Sequence, residues 1–378
     1  MVLPGGTLGI LGGGQLARML SLDARRMGYR TVVWSGTPKA EPTEGVSDVV
    51  IKKPFDDEAA LAEFCAQVDV ATVEFENIPL ETLTAVEEKI GLYPSAESIG
   101  VSQHRSREKA FLREHGIPCA PFAMVNSLEE LEEAYAQVGP VGVLKTAAFG
   151  YDGKGQVKLT SGDQLAGAWT GVGEEPSVLE GFVDFDCEIS VIIARGADGE
   201  MVSYPAVENR HRHHILDLTI APARVDEAVL ADAKRIAENL AEALDYRGLL
   251  AVEFFVEKSG RVLVNEMAPR PHNSGHFSMN GSVTSQFEQQ LRAVMGLPLG
   301  SPEILSPTVM LNLLGDMWQG ESGTLNSEAI LSTKGAKLHL YGKSNPSGRR
   351  KLGHVNLVGG ENVLERAEKL KEKLLGWS

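Results

Sequence analysis

Apolar positions in the first hundred residues come alternately as short unbroken runs and as stripes at helical spacing. The run from Thr7 to Leu11 predicts a buried strand, Gly12 to Gly14 a turn, and residues 15 to 27 a helix, before a second strand from Thr31 to Trp34. Strand, helix and strand in that order have one simple solution, a parallel sheet with helices packed on it. The pattern continues with a helix from Asp56 to Cys65, a strand from Val70 to Phe75 and a helix from Leu80 to Lys89. Residues 1–101 therefore read as one α/β domain.

A helix from about Ser102 to His115 is expected next, carrying Arg105, Arg107 and Lys109 and stopped by Gly116-Ile117-Pro118. Shorter periods follow. They give strands over Val143 to Thr146, near Val157 to Leu159, and ending at Val178 to Glu180, with a glycine-rich stretch from Ala148 to Gln156 between the first two. This is the size of a mobile lid, at about residues 119–184, within a unit spanning 102–299. Strands around an Asp198-Gly199 turn, a long amphipathic helix from Val225 to Leu244, and two strands around Ser259-Gly260 complete that unit. Short strands around Met310, Leu338 and Val355 and a terminal helix make residues 300–378 a small third unit.

Composition narrows the function. With 36 Lys+Arg against 51 Asp+Glu, the formal charge of -15 disfavours general attraction to nucleic acid or to an anionic membrane face. Cys65, Cys119 and Cys187 are odd in number and scattered, so neither a disulfide framework nor a zinc knot is indicated. No leader sequence and no apolar run long enough for a bilayer is apparent, so a soluble, cytoplasmic protein is expected.

Candidate chemistry concentrates in four places. If the loop between Lys258 and Arg261 has two residues, counting back along the hairpin puts Glu253 directly opposite Glu266 on one face. Opposed like charges destabilise a sheet unless something compensates, and a hard divalent cation completed by substrate phosphates would do so, with Asn265 as a further oxygen ligand. The segment Gly150-Tyr151-Asp152-Gly153-Lys154-Gly155-Gln156 can bring backbone N–H groups onto phosphate oxygens and close as a flap, with Lys145 just upstream as a point charge. Arg270-Pro271-His272-Asn273-Ser274 follows the Glu266 strand, and Lys343, Arg349, Arg350 and Lys351 form a second basic cluster. Both are candidate clamps for phosphate or carboxylate. Finally, Gly12 to Ala17 fits G-x-G-x-x-A, yet the second strand ends Trp34-Ser35-Gly36 without the acid a dinucleotide site needs. A mononucleotide phosphate or a tight strand-helix turn explains those glycines as well.

Taken together, Gly9 to Leu16, Thr72-Val73-Glu74-Phe75-Glu76-Asn77, Tyr151 to Gln156, Asn265 to His276 and Arg350 to His354 make the chain resemble the N5-carboxyaminoimidazole ribonucleotide synthetases of the ATP-grasp superfamily over essentially its whole length. The resemblance implies a homodimer of three-domain chains with an α/β, ATP-grasp fold. The ligands it implies are ATP, Mg²⁺ with Mn²⁺ as the alternative, bicarbonate and 5-aminoimidazole ribonucleotide. By that resemblance Arg105, Lys145 and the loop from Gly150 to Gln156 hold the phosphates. Glu180, Gly181, Phe182 and Val183 lie near adenine, Glu188 holds the ribose, His211 approaches the nucleotide, and Glu253 and Glu266 carry the metal.

The ribonucleotide would meet Gly14, Gln15, Glu76, Tyr151, Asp152, Lys154, Arg270, His272, Asn273, Ser274, Lys343, Arg350 and Lys351. Asp152, Lys154, Glu76, Arg270 and Lys351 are the residues expected to act on the amine and on the developing charges. Two other readings stand beside this one: a sibling purine ligase that formylates an amine, and a nucleotide-binding regulatory protein without catalysis.

Overall fold

The computed structural model describes residues 1–148, 155–319 and 323–376, and they build three sheets. The first comprises β1 (Thr7–Leu11), α1 (Gln15–Arg26), β2 (Arg30–Trp34), β3 (Val49–Ile51), α2 (Glu58–Cys65), β4 (Val70–Val73), α3 (Leu80–Lys89) and β5 (Gly91–Leu92). Its strands are parallel in the order β3-β2-β1-β4-β5. Every residue of β1 and β4 is buried, because helices cover both faces, and this is why these strands read as unbroken apolar runs. Strand order reverses between β1 and β4, so a crevice opens at their carboxyl ends, where ligands bind in such sheets.

The expected helix from about Ser102 to His115 is α5 (Arg105–Glu114), and a separate helix, α4 (Ala96–Ser102), precedes it. The break has a cause: His104 is extended, and the Gln103 side chain donates to the carbonyls of Glu76 (2.8 Å) and Ile78 (2.7 Å), tying the joint to the end of the first sheet.

The second sheet holds β6 (Phe122–Val125), α6 (Leu128–Val138), β7 (Gly142–Thr146), β8 (Gln156–Leu159), α7 (Leu165–Gly171) and β9 (Ser177–Gly181), antiparallel in the order β6-β9-β7-β8. Leu144 and Leu179 pack under Leu131, Ala134, Leu165 and Trp169 of the two helices. The alternate residues Val143, Lys145 and Glu180 line a cleft instead, as strand periodicity requires.

The third sheet contains β10 (Phe185–Arg195), β11 (Met201–Ser203), β12 (Val207–Arg212), β13 (Ile215–Ala221), α8 (Glu227–Ala243), β14 (Gly248–Glu257) and β15 (Val262–Ala268). After α9 (Ser278–Gly281) and α10 (Gln286–Met295), it continues with β16 (Thr308–Leu314), α11 (Ser327–Leu331), β17 (Ala336–Leu340), β18 (Lys351–Val358) and α12 (Val363–Leu375). The order is β15-β14-β10-β12-β13-β16-β18-β17, with β11 on β10, so the C-terminal strands extend this sheet through the β13–β16 pair. Ala233, Ile236, Ala237 and Leu240 of α8 pack on Val191, Ile193, Val252 and Phe254. Truncating a fully buried leucine such as Leu240 to alanine costs about 2–5 kcal/mol. Gln290 joins this sheet to the first, accepting from the Leu249 N–H (2.6 Å) and donating to the Thr72 hydroxyl (2.8 Å). Among the described residues, no helix is long and apolar enough to cross a membrane.

Candidate active site

The β14–β15 hairpin does not close on a two-residue loop. The Glu257 N–H donates to the Arg261 carbonyl at 2.9 Å, and Lys258, Ser259 and Gly260 form a three-residue loop with Gly260 at φ 83°. Pairing then runs Val256 with Val262, Phe255 with Leu263 and Phe254 with Val264, one residue away from the expected register. A bulge at Asn265 restores the difference, and Glu253 falls opposite Glu266 as expected, by another route. The bulge also allows the neighbours Asn265 and Glu266 both to face one cavity, which simple alternation would forbid.

That cavity, about 920 Å³, lies between the second and third sheets. Burial, followed by the charge of Glu266, pushes the Glu253 carboxyl up to about 8. The His272 Nε2 is 3.4 Å from Glu253, but burial and the Arg270 charge hold its imidazole well below its ordinary range, so it is a neutral partner. Two carboxyl groups share this corner, and among the described residues no group of three or more His, Cys, Asp or Glu side chains forms a protein cage for a metal. A donor set of this kind fits Mg²⁺, which keeps waters and takes phosphate oxygens.

Along the cavity, Arg105 approaches Glu266 at 3.7 Å and Lys145 pairs with Glu180 at 3.1 Å. The Glu180 carboxylate also meets the buried Lys109 at 3.4 Å. Burial would raise its pKa, but these two lysines hold it at about 2. It is therefore a permanent counter-charge between two lysines, while Gly181, Phe182 and Val183 line the wall beside it. Phe185 and Phe255 stack at 4.7 Å along the same wall. Glu188 accepts from His211 Nδ1 at 2.7 Å. Burial opposes protonation of that imidazole, but the hydrogen bond and charge of Glu188 prevail and raise its pKa.

A second cavity of about 670 Å³ adjoins the first at Asn77. It is lined by Gly13, Gly14 and Gln15 on one side and by Lys343, Ser344 and Arg350 on the other. Burial and the nearby Arg350 charge lower the Lys343 ammonium to about 8, against the opposing pull of Glu74 and Glu41 on the same lining. The N-terminus of α1 is already occupied from within. Glu74 accepts from the N–H groups of Gly14 (2.9 Å) and Leu16 (3.3 Å), so the glycines form a tight turn around a carboxylate, not an open phosphate cradle. A Cβ on Gly14 would stand 2.3 Å from the Glu74 carboxylate.

The structure thus gathers Arg105, Lys145, Gln156, Glu180, Gly181, Phe182, Val183, Glu188, His211, Glu253, Asn265, Glu266, Glu76, Arg270, His272, Asn273 and Lys351 around the larger cavity, and Gly14, Gln15, Lys343 and Arg350 around the smaller. Glu76 and Arg270 face each other in a two-pronged pair (2.6 and 3.2 Å). Ser274 lines neither cavity; it is fully buried and its hydroxyl meets His272 Nδ1 at 3.0 Å. Arg349 also lies outside both linings, donating to the His213 carbonyl at 3.4 Å, whereas Arg350 and Lys351 turn to different cavities. Gly150, Tyr151, Asp152, Gly153 and Lys154 lie outside the described residues, and Gly155 follows them at φ 68°. Sequence reasoning missed Glu74, Glu108 and the part played by Lys109. The signal for Glu74 is a glycine turn with no acid at the end of β2 and one at the end of β4.

Three family models match the chain in series. These are the ribonucleotide synthetase preATP-grasp domain over residues 6–103, the ATP-grasp domain over 110–287 and the phosphoribosylaminoimidazole carboxylase C-terminal domain over 308–369. An N5-carboxyaminoimidazole ribonucleotide synthase of Brucella melitensis is 44% identical over 360 residues, 94% of this chain and 97% of that one. The solved N5-carboxyaminoimidazole ribonucleotide synthetase of Thermus thermophilus superposes with a TM-score of 0.90 at 40% identity, covering 98% of this chain and 99% of that one. An Aspergillus clavatus N5-carboxyaminoimidazole synthase, solved with ADP and 5-aminoimidazole ribonucleotide, gives 0.88 at 30% identity with 98% of each chain covered. The chain belongs to the N5-carboxyaminoimidazole ribonucleotide synthase family of the ATP-grasp superfamily.

Proposed function

We propose that the larger cavity holds ATP with Mg²⁺ at the Glu253–Glu266 corner, and that the smaller one holds the phosphate end of 5-aminoimidazole ribonucleotide. The chain is an ATP-dependent ligase that carboxylates the amine of this ribonucleotide with bicarbonate, through carboxyphosphate. One observation carries the assignment of the site: Glu253 and Glu266 meet across a single ladder rung, beside the cations Arg105 and Lys145.

A bicarbonate oxygen attacks the γ-phosphorus, the bond to the β-phosphate oxygen breaks, and ADP leaves. Such transfer requires positioning and charge neutralisation more than covalent help. Bound Mg²⁺ would supply Lewis-acid neutralisation of phosphate oxygens there. Lys145 and Arg105 meet the phosphates as fixed charges, and the Glu188–His211 pair borders the ribose. The amine nitrogen then attacks the carbonyl carbon of carboxyphosphate; the C–O bond breaks, phosphate departs with the bonding electrons, and the proton lost by the nitrogen passes to that phosphate. Glu76, held ionised by Arg270, is suited to orient that amine, and Arg270 and Lys351 to bear the carboxylate charge. Lys343 and Arg350 bind the ribonucleotide phosphate.

A homodimer working in the cytoplasm is part of the same proposal, on family resemblance alone; a monomer in sedimentation equilibrium would overturn the assembly. The decisive assay supplies ATP, labelled bicarbonate and the ribonucleotide and looks for a labelled, acid-labile product in step with ADP. ADP release without that product would overturn the proposed chemistry.

A further inference from the structure

We propose that Glu108 and Lys109 are positioning residues that lock the β15 bulge and so aim Asn265 and Glu266 into the nucleotide cavity; this rests on the metal reading of that cavity given above. β15 is the edge strand of its sheet: the Val264 N–H on the outer side donates to the Pro118 carbonyl at 2.8 Å, and beyond that single bridge, among the described residues, the bulge has no neighbouring strand. One face of α5 supplies partners to three consecutive residues at the bulge. The Asn265 carbonyl accepts from Lys109 Nζ at 3.0 Å, the Glu266 carboxylate lies 3.7 Å from Arg105, and the Met267 N–H donates to Glu108 at 2.8 Å. Positions 105, 108 and 109 stand on one helical face by spacing alone. The helix is itself anchored at its first turn, where the Arg105 N–H donates to the Ala147 carbonyl at 2.7 Å.

These contacts are more than an edge cover. Glu108 is 4% and Lys109 0% exposed, and ionisable groups are rarely kept in such a place unless paired. Lys109 spends one contact on the Asn265 carbonyl and another on Glu180, which in turn holds Lys145. The bulge that turns Glu266 inward and the lysine that meets phosphate are therefore registered through one buried ammonium. A bulge left without these partners would be free to relax toward regular alternation, which would turn one of Asn265 and Glu266 away.

The test compares Glu108→Ala, Glu108→Gln and Lys109→Met by calorimetry of ADP binding with and without Mg²⁺, alongside KM for the ribonucleotide. Glu108→Ala and Lys109→Met should lose about 10-fold or more of the affinity that Mg²⁺ adds, the scale of residues that orient metal ligands. ADP affinity without Mg²⁺ should be unchanged in the Glu108 variants and weakened in Lys109→Met, which also removes the partner of Glu180 beside Lys145, while KM for the ribonucleotide should be unchanged in all three. Glu108→Gln, whose amide oxygen still accepts the Met267 N–H, should retain the Mg²⁺ gain. An intact gain in Glu108→Ala, or a loss in Glu108→Gln equal to that in Glu108→Ala, overturns the proposal. Where Lys109→Met does not fold, the Glu108 pair decides alone. Glu266→Gln separates the two levels: if it leaves the Mg²⁺ gain intact, the metal reading fails, and if it abolishes the gain while Glu108→Ala does not, only the positioning role fails.

Discussion

Glu253 and Glu266 stand opposite each other on β14 and β15, and burial with this juxtaposition pushes the Glu253 carboxyl up to about 8. A carboxyl raised above its unfolded value of about 4.5 reverses the usual linkage: the nucleotide-free protein loses stability as pH rises from there through 8. Glu253→Gln removes the charge conflict and the group that serves the reaction together. It should raise the Tm of the nucleotide-free protein above pH 7 while lowering kcat by roughly 10²-fold or more. Thermal melts and steady-state rates check both, and a variant that loses stability along with turnover would contradict the assignment.

The same carboxyl is protonated at pH 7 and must ionise to accept a cation. Binding of Mg²⁺ with ADP should therefore release close to one proton at pH 7 and far fewer at pH 9, while ADP alone releases none from this group. Calorimetry in two buffers of different ionisation enthalpy measures the release. Identical release with and without Mg²⁺ would rule out Glu253 as its source.

Much of this site was legible in the chain because its physics is local. Apolar runs dictated β1, β4 and β14, and the pairing of Glu253 with Glu266 followed from counting along one hairpin. The count succeeded only because two departures cancel, a three-residue loop and a bulge at Asn265, and neither leaves a mark in hydrophobic alternation. Contacts between distant segments were not legible for the same reason. Only the acid at the end of β4, set against its absence at the end of β2, hints that Glu74 will meet the amides of Gly14 and Leu16, and nothing near Lys109 announces Asn265, 156 positions away. The start of α5 at Arg105 instead of about Ser102 was likewise hidden, since it depends on Gln103 reaching the carbonyls of Glu76 and Ile78.

Glu74 inside the α1 turn leads to a prediction that separates the two cavities. A methyl group at Gly14 would meet the Glu74 carboxylate at 2.3 Å, in a turn that also borders Gln15 and faces Lys343. Gly14→Ala should destabilise by about 1–3 kcal/mol through overpacking. Its functional loss should fall on KM for the ribonucleotide, leaving ADP affinity intact, because the nucleotide cavity has no lining residue from this turn. Equal weakening of both ligands would mean that the turn supports the whole fold and not the smaller cavity.

Acid sensitivity should come from a stack of imidazoles at the join between β18 and the segment after β15. His276 and His354 stack at 4.7 Å and His339 and His354 at 4.5 Å, while Tyr341 and His354 share a hydrogen bond of 2.9 Å. Burial holds His276 down at about 3 and His354 well below its ordinary range, so both stay neutral in the folded protein. Unfolded, each titrates near 6.5, so stability present above that value is lost as pH falls through it toward 3. For His276 alone the loss between pH 7 and pH 5 is roughly 2 kcal/mol. His354→Phe preserves the ring stack and removes one of the titrating groups. It should lower stability at pH 7, because the Tyr341 hydroxyl loses its partner, yet show a smaller further drop at pH 5 than the unaltered chain does. Urea unfolding at the two pH values measures this difference, and parallel drops in both proteins would place the acid sensitivity elsewhere.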